Sequence, residues 1–520
     1  YGSNVGVSYG MVHIEEELTN PGEVGARFLG PDFSAAGKQT ISFAMPSYVQ
    51  SYTSGRNKIF WDLNMGLLSR NSNSVKITLP SGAVSSFYVG QISTALASYS
   101  DASRMDDDDP QVSADGIYNL TIDASNLNLS YGAVDYLSVA YPRSNRLNAL
   151  TEETLAFRQL NSDDRITLTN VAEGTMVWDI TDRYAPRLFT LGEEAATGDE
   201  GRTVYFTSPG AFTDKSGSDG AYVIAFNPEA ELHSVEPVGE VAPQNLHSMT
   251  TPRMVIVASE PFMAEAQRLA EAHGRFDGKE VAVVLQDEVF NEFSSGAPHV
   301  MGIRRFARML HDRDPQKFKS ILLFGPASYD NRGFTALDSV SFRRNYIPMF
   351  QREDIKGSGR FPESYSADAF VGMLEENTGA FDIGRSYMSV AVGRIPASDP
   401  ASARSYVNKA IGYMANPPAG DYRNRALLMC DMGDMNGHME DANGAAAEIA
   451  TYAPATTIYK AYNTIYPFTN GRAVELNRVA SQALSKGVAY WAYSGHATPR
   501  FFGSQQIWSC LLYTSPSPRD

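Results

Sequence analysis

Cysteine is nearly absent from this chain: its 520 residues include only Cys430 and Cys510. Two thiols exclude a disulfide-stapled scaffold and any multi-cysteine zinc site. Long apolar runs are missing too, so no segment is long enough to cross a bilayer as a helix. Positive charge is in deficit, with 43 Lys and Arg against 59 Asp and Glu. The resulting net charge of -16 argues against nucleic acid as the main partner. The chain opens at Tyr1 rather than methionine and shows no signal peptide, so its natural start is expected to lie upstream.

What is present is globular, with 43% hydrophobic and 20% charged residues. This length calls for about two to four domains. The run Asp106 to Asp109 is the one place where a structural calcium could sit. It lacks the alternating ligand spacing of an EF-hand loop and reads first as a solvated turn. No other residue stands out as a metal ligand or cofactor contact, and no cofactor is required by the reading below.

Two textures divide the chain. Residues 1–240 show alternating segments such as Val75-Lys76-Ile77-Thr78-Leu79, Ser85 to Val89 and Tyr136 to Tyr141, separated by Pro, Gly, Asn and Ser clusters. This pattern predicts antiparallel β structure, sandwich or barrel, in two domains. Met176 to Asp182 reads as a strand entering a turn, and no exact internal repeat is evident. From residue 241 short apolar strands alternate with amphipathic helices, which predicts parallel sheets covered by helices. A first α/β subdomain, 241–416, has strands Met254 to Ala258, Val281 to Leu285, Ser320 to Gly325 and Met388 to Val392. Its helices are Phe262 to His273, Met301 to His311 and Pro400 to Met414. Pro417-Pro418-Ala419-Gly420 marks a break. A second subdomain, 417–509, then runs strand Ala426 to Cys430, helix Met439 to Tyr452, strand Thr456 to Tyr459, helix Gly471 to Lys486 and a strand leading to His496.

That last strand ends in Tyr490-Trp491-Ala492-Tyr493-Ser494-Gly495-His496. A histidine where a buried strand breaks is aimed at the carboxyl edge of a sheet, where open α/β proteins keep their chemistry. Taken alone it has two readings, a packed core or edge residue and a general base. A base acting on a thiol needs an orienting group on its other ring nitrogen. Asp431 and Asp434, after strand Ala426 to Cys430, could supply a carboxylate or could be turn and N-cap residues. Cys430, inside an apolar strand, reads as a small buried hydrophobe. His438 is open between a cap, a surface residue and a supporting member of the site.

Cys510 is the obvious thiol partner for His496, but the spacing is against it. A nucleophile on the neighbouring parallel strand must follow a crossover, and a βαβ unit needs roughly 30 residues or more. Cys510 follows His496 too soon. Moreover, Cys510 to Asp520 back-translate to one frame of a transposase-type sequencing adapter. Residues 510–520 are therefore expected to be non-native, with the natural sequence diverging near Ser509.

Gln244-Asn245-Leu246-His247, Asn291 to Gly296, Leu323-Phe324-Gly325 with Ser328-Tyr329-Asp330, Gly393-Arg394-Ile395-Pro396, His438-Met439-Glu440-Asp441 and Ser494-Gly495-His496 occur in this order. Together they resemble the gingipain-type cysteine peptidases, most closely the sortase-like branch serving type IX secretion. Val134-Asp135-Tyr136-Leu137, Phe157-Arg158 and Val177-Trp178-Asp179 extend the resemblance into the β-rich half. It implies β domains followed by a caspase-like region of two α/β subdomains, the second incomplete. It also implies a Cys-His dyad with His496 as its histidine and a cysteine on the next strand, beyond this sequence. Asp434 is the first choice to orient His496 and Asp431 the reserve. A surface peptidase or transpeptidase of the outer membrane is implied, removing C-terminal sorting domains from secreted protein cargo alongside other secretion components. As it stands the chain lacks the nucleophile and is expected to be inactive. A non-catalytic scaffold of the same fold and a general secreted gingipain-like protease are the alternatives. Two positions depart from the family pattern: Ala497 replaces the glycine of Gly-His-Gly, and Phe324-Gly325-Pro326-Ala327 replaces Phe-Gly-Asp-Gly.

Overall fold

The fold is taken from a computed structural model. It describes residues 4–509 except 21–27, 50–58, 92–96, 100–104, 108–111, 114, 148–152, 159–163, 183, 195–200, 208–219, 230–235, 238, 335–341, 343, 355–362, 376–386, 467–470, 499–500 and 504–505. Asp108, Asp109 and Cys510 are thus outside the described residues, as are the side chains of Asp106 and Asp107. Two compact units result, Tyr1–Ile411 and Gly412–Asp520. No helix among the described residues is long and apolar enough to cross a membrane.

The N-terminal half of the first unit is β-rich. In strand Asn73–Thr78, Val75 and Ile77 point inward and Lys76 outward, as period-two alternation requires. It joins Lys38–Ala44, Ile117–Asp123 and Val84–Val89 in an antiparallel sheet. A nine-stranded sheet is organised around the long strand Leu129–Ser144, which pairs antiparallel with Val7–Glu15 and Ile59–Ser69. One core unites the two sheets, with Ile77 and Leu120 from the first and Trp61, Leu63 and Leu137 from the second. Leu155, Phe157, Val177 and Val223, from the far part of the larger sheet, build a separate core with Ile166 and Phe206.

The rest of the unit is α/β. Four parallel strands lie in the order Val281–Leu285, Met254–Ala258, Ser320–Phe324, Ala391–Ile395. Helix Val300–Arg313 buries Val300, Ile303, Phe306, Ala307 and Leu310 along one stripe. Truncating Phe306 in that stripe would cost about 3–5 kcal/mol. The fourth strand corrects the sequence expectation of Met388 to Val392. Ser389 donates its amide to Gly372 O (2.8 Å), so the residues just before Ala391 are tied to the segment Asp368–Gly372, and the ladder begins at Ala391. An apolar run cannot by itself say which of its residues enter a ladder. The eight-residue helix Gln286–Phe293 was not anticipated; the Glu288 side chain closes its first turn on the Leu285 amide (3.1 Å).

The second unit holds a three-stranded parallel sheet, Thr457–Tyr462, Arg425–Cys430, Tyr490–Ser494, with Arg425–Cys430 central. Because helices cover both faces, the central strand is a continuous apolar run. Leu427 and Met429 face helix Val474–Ser485 through Leu476, Ala480 and Ala483. Leu428 and Cys430 face helix Gly437–Tyr452 through Ala442 and Ala446. Beyond His496 the chain folds back as a hairpin, Phe501–Phe502 with Trp508–Ser509, instead of starting a crossover helix. Phe502 stacks on Tyr493 (4.4 Å between centroids), and Ile507 is fully buried.

Candidate active site

Register builds the site. Cys430 and Ser494 are paired on adjacent parallel strands, so Asp431 and Gly495 leave the same carboxyl edge together. The Asp431 amide still reaches Ser494 O (3.3 Å), one rung past the ladder. Asp431 is 4% exposed, and its two oxygens divide the work. Oδ1 accepts from the Gly433 amide (3.0 Å) and meets the Nδ1 of His438, while Oδ2 accepts from the His496 amide (2.9 Å) and the Tyr493 hydroxyl (3.4 Å). Burial pushes the Asp431 carboxyl up, but the amides of Gly433 and His496 and the His438 ring outweigh it and hold it below the usual range. The Tyr493 hydroxyl also donates to His496 O (2.7 Å), and burial beside Asp431 raises its pKa, so it remains a donor.

Asp434 stands in front of both imidazoles. Its Oδ1 is 3.3 Å from His496 Nε2 and its Oδ2 is 3.4 Å from His438 Nε2. The two rings meet edge to face, 5.0 Å apart at 80°. Asp434, Met435 and Asn436 form a left-handed run (φ 53°, 54° and 73°), an uncommon conformation for three consecutive non-glycine residues and one that recurs at functional sites. Gly433 is needed here because a Cβ would lie 2.8 Å from His438 Cε1 and 3.1 Å from His496 Cδ2. Gly495 is equally constrained: a Cβ would come within 2.5 Å of the Tyr493 hydroxyl and 2.7 Å of Asp431 Cγ.

Of the residues singled out in the sequence, the structure brings His496, Asp434, Asp431 and His438 together. Asp434 approaches the His496 ring, whereas Asp431 holds the His496 backbone and the His438 ring. The N-cap reading of the two aspartates falls, because Asn436 holds the cap position of helix Gly437–Tyr452. Tyr493 and Gly433 were not singled out; an aromatic strand residue and a loop glycine carry no local signal of such contacts. Cys430 is fully buried, its thiol pushed up to about 11 by burial, and it packs in the apolar cluster beneath helix Gly437–Tyr452. Ala497, at the position of the family glycine, is exposed and bridges to Phe502.

The remaining family-like motifs have structural tasks. Glu292 Oε1 accepts from Gln244 Nε2 (2.9 Å) and the Leu246 amide (2.7 Å); Oε2 accepts from the His247 amide (3.1 Å) and meets the His247 Nδ1 (2.6 Å). Burial disfavours the Glu292 anion, but these donors bring its pKa down to about 2. Arg394 forks onto Asp368 with two 2.8 Å bonds and also donates to Gly325 O and Ile347 O (3.1 Å each).

A model of peptidase family C25 matches residues 247–511, just over half of the chain. The chain belongs to this family, the gingipain family of cysteine peptidases. Its fold is similar to that of the dimeric latent PorU of Porphyromonas gingivalis in a crystal structure, with a TM-score of 0.64 and 24% identity. That match covers 79% of this chain and 38% of PorU, so the chain spans well under half of PorU's length. A cycloisomaltooligosaccharide glucanotransferase from Paenibacillus sp. complexed with cycloisomaltoheptaose was also matched. Its TM-score of 0.14, with 6% identity over 43% of this chain and 45% of that one, says nothing about the fold. Among curated proteins no relative was found.

Proposed function

We propose that the complete protein is a cysteine endopeptidase or transpeptidase in which His496 is the general base and Asp434 orients it. The observation that carries this reading is the Asp434 Oδ1 to His496 Nε2 approach at the carboxyl edge of a parallel sheet. With Nε2 turned to a carboxylate, Nδ1 is left to take a proton from a thiol. The thiolate sulfur then attacks the scissile carbonyl carbon, the C–S bond forms as the C–N bond breaks, and the imidazolium returns its proton to the departing amine. Water or an amine resolves the acyl-enzyme. Cys430 is buried and cannot serve, so the thiol is supplied from outside the described residues. The amides of His496 and Gly433 are committed to Asp431, so oxyanion donors must come from other groups.

The substrate proposed is secreted protein cargo carrying a C-terminal sorting domain, processed at the outer surface of the cell. The likeness to PorU supports the peptidase fold, and the sorting role is carried over from the motif resemblance. The test is cleavage of such cargo by the protein with its natural continuation. His496→Ala should lower the rate by about 10²–10⁴-fold, the range for loss of a general base. Full activity in that variant, or insensitivity to thiol alkylation, would refute the reading.

A further inference from the structure

Both ring nitrogens of His438 face carboxylate oxygens, Nδ1 toward Asp431 and Nε2 toward Asp434 (3.4 Å). His496 Nε2 faces the other oxygen of Asp434 at 3.3 Å. A neutral imidazole has one N–H to donate, so His438, with a carboxylate at each nitrogen, leaves one of its two contacts as lone pair against carboxylate, an arrangement that a metal cation at Nε2 would satisfy. One ligand atom each from Asp434, His438 and His496 lies within 4.8 Å of the others. A tetrahedral zinc ion with arms of ~2.0–2.1 Å has ligand-to-ligand edges of about 3.3 Å. The two contacts, one from each oxygen of Asp434, are 3.3 and 3.4 Å, close to that length.

The surroundings fit a metal as well as the ligands do. Asp431, almost wholly buried, fixes His438 with its Nδ1 toward the carboxylate and its Nε2 outward. A carboxylate behind a ligating imidazole is the usual support of a protein zinc ligand. Gly433 provides the room that lets the two rings converge. The His496 ring is 69% exposed, so a fourth position stays open to water.

We propose that Asp434, His438 and His496 form a binding site for a divalent transition-metal cation of the zinc type. The ligand set of two imidazoles and one carboxylate favours such an ion over calcium, which takes oxygen ligands. One consequence rests on the peptidase reading. A metal on Nε2 leaves the ring proton on Nδ1, so His496 can no longer accept one from a thiol. The site would thus act as a reversible off-switch.

The test is direct titration of the full chain with Zn²⁺ in competition with a chromophoric chelator, and with Co²⁺ read by its visible absorption. This measures binding whether or not peptidase activity is found. One equivalent should bind, giving the spectrum of tetrahedral Co²⁺. His438→Ala and His496→Ala should each weaken binding by at least about 100-fold, and Asp431→Asn by about 10-fold. Asp434 is exposed, so Asp434→Ala should keep the fold and still lose the metal. His273→Ala, whose ring pairs with Asp277 in the other unit, should change nothing. The absence of a one-equivalent site, or binding that survives Asp434→Ala and His438→Ala, would overturn the proposal.

Discussion

The two α/β units end their strands on similar edges and use them in opposite ways. In the first, Arg394 seals the edge by satisfying Asp368 and the carbonyls of Gly325 and Ile347, while Glu292, near the end of helix Gln286–Phe293, gathers Gln244, Leu246 and His247. In the second, a buried Asp431 orders a loop and a ring while two imidazole Nε2 atoms converge on one exposed carboxylate. Both regions contain acid–histidine contacts, so the residue types alone do not mark a site. The difference lies in the donor count. Glu292 has enough N–H donors to be satisfied, whereas His438 faces a carboxylate with each ring nitrogen and a neutral ring has one N–H to give.

Breaking each edge should separate the two roles. His496→Ala should have the largest effect on peptidase activity yet leave the urea midpoint nearly unchanged, because an exposed ring adds little to stability. Arg394→Leu should do the reverse. It strands Asp368 and two carbonyls and should destabilise the first unit by about 3 kcal/mol in urea unfolding. Arg394→Lys should recover only part of this, since an ammonium cannot fork. Gly495→Ala should cost about 2 kcal/mol and disturb the second site, because its Cβ meets Tyr493 and Asp431.

A smaller effect concerns acid. The folded pKa of Glu292 is depressed to about 2, below the ~4.3 of an unfolded glutamate. Its contribution is therefore complete above the unfolded value and lost as pH falls toward 2. Glu292→Gln should remove up to one proton from the acid limb of the stability curve between about pH 4 and 2. An unchanged limb would show that the cluster is not formed in solution. The smallest change is Met435→Gly. Met435 is 97% exposed and left-handed, so glycine should stabilise the second unit by at most about 1 kcal/mol in the same urea assay.

Much of the scaffold was legible in the sequence. Met254–Ala258 and Val281–Leu285 form strands at their expected bounds, because β-branched runs between turn signals leave little choice. Helix Gln286–Phe293 and the hairpin after His496 were not, since short elements take their order from packing, as Phe502 does on Tyr493. His496 was visible as a strand-end histidine. The role of His438 was not, because it depends on Asp431 seven residues earlier and on a loop turned back by three left-handed residues.

By itself, then, the sequence determined the alternation that makes β layers and parallel sheets, the motifs of a peptidase family, and a histidine at a strand end. These follow from local periodicity and residue type. Only the tertiary structure decided that Cys430 is buried, that Asp431 supports while Asp434 approaches the ring, and that two histidines share one carboxylate. Those outcomes depend on the register between Arg425–Cys430 and Tyr490–Ser494, strands that lie far apart in the chain and are brought together by packing.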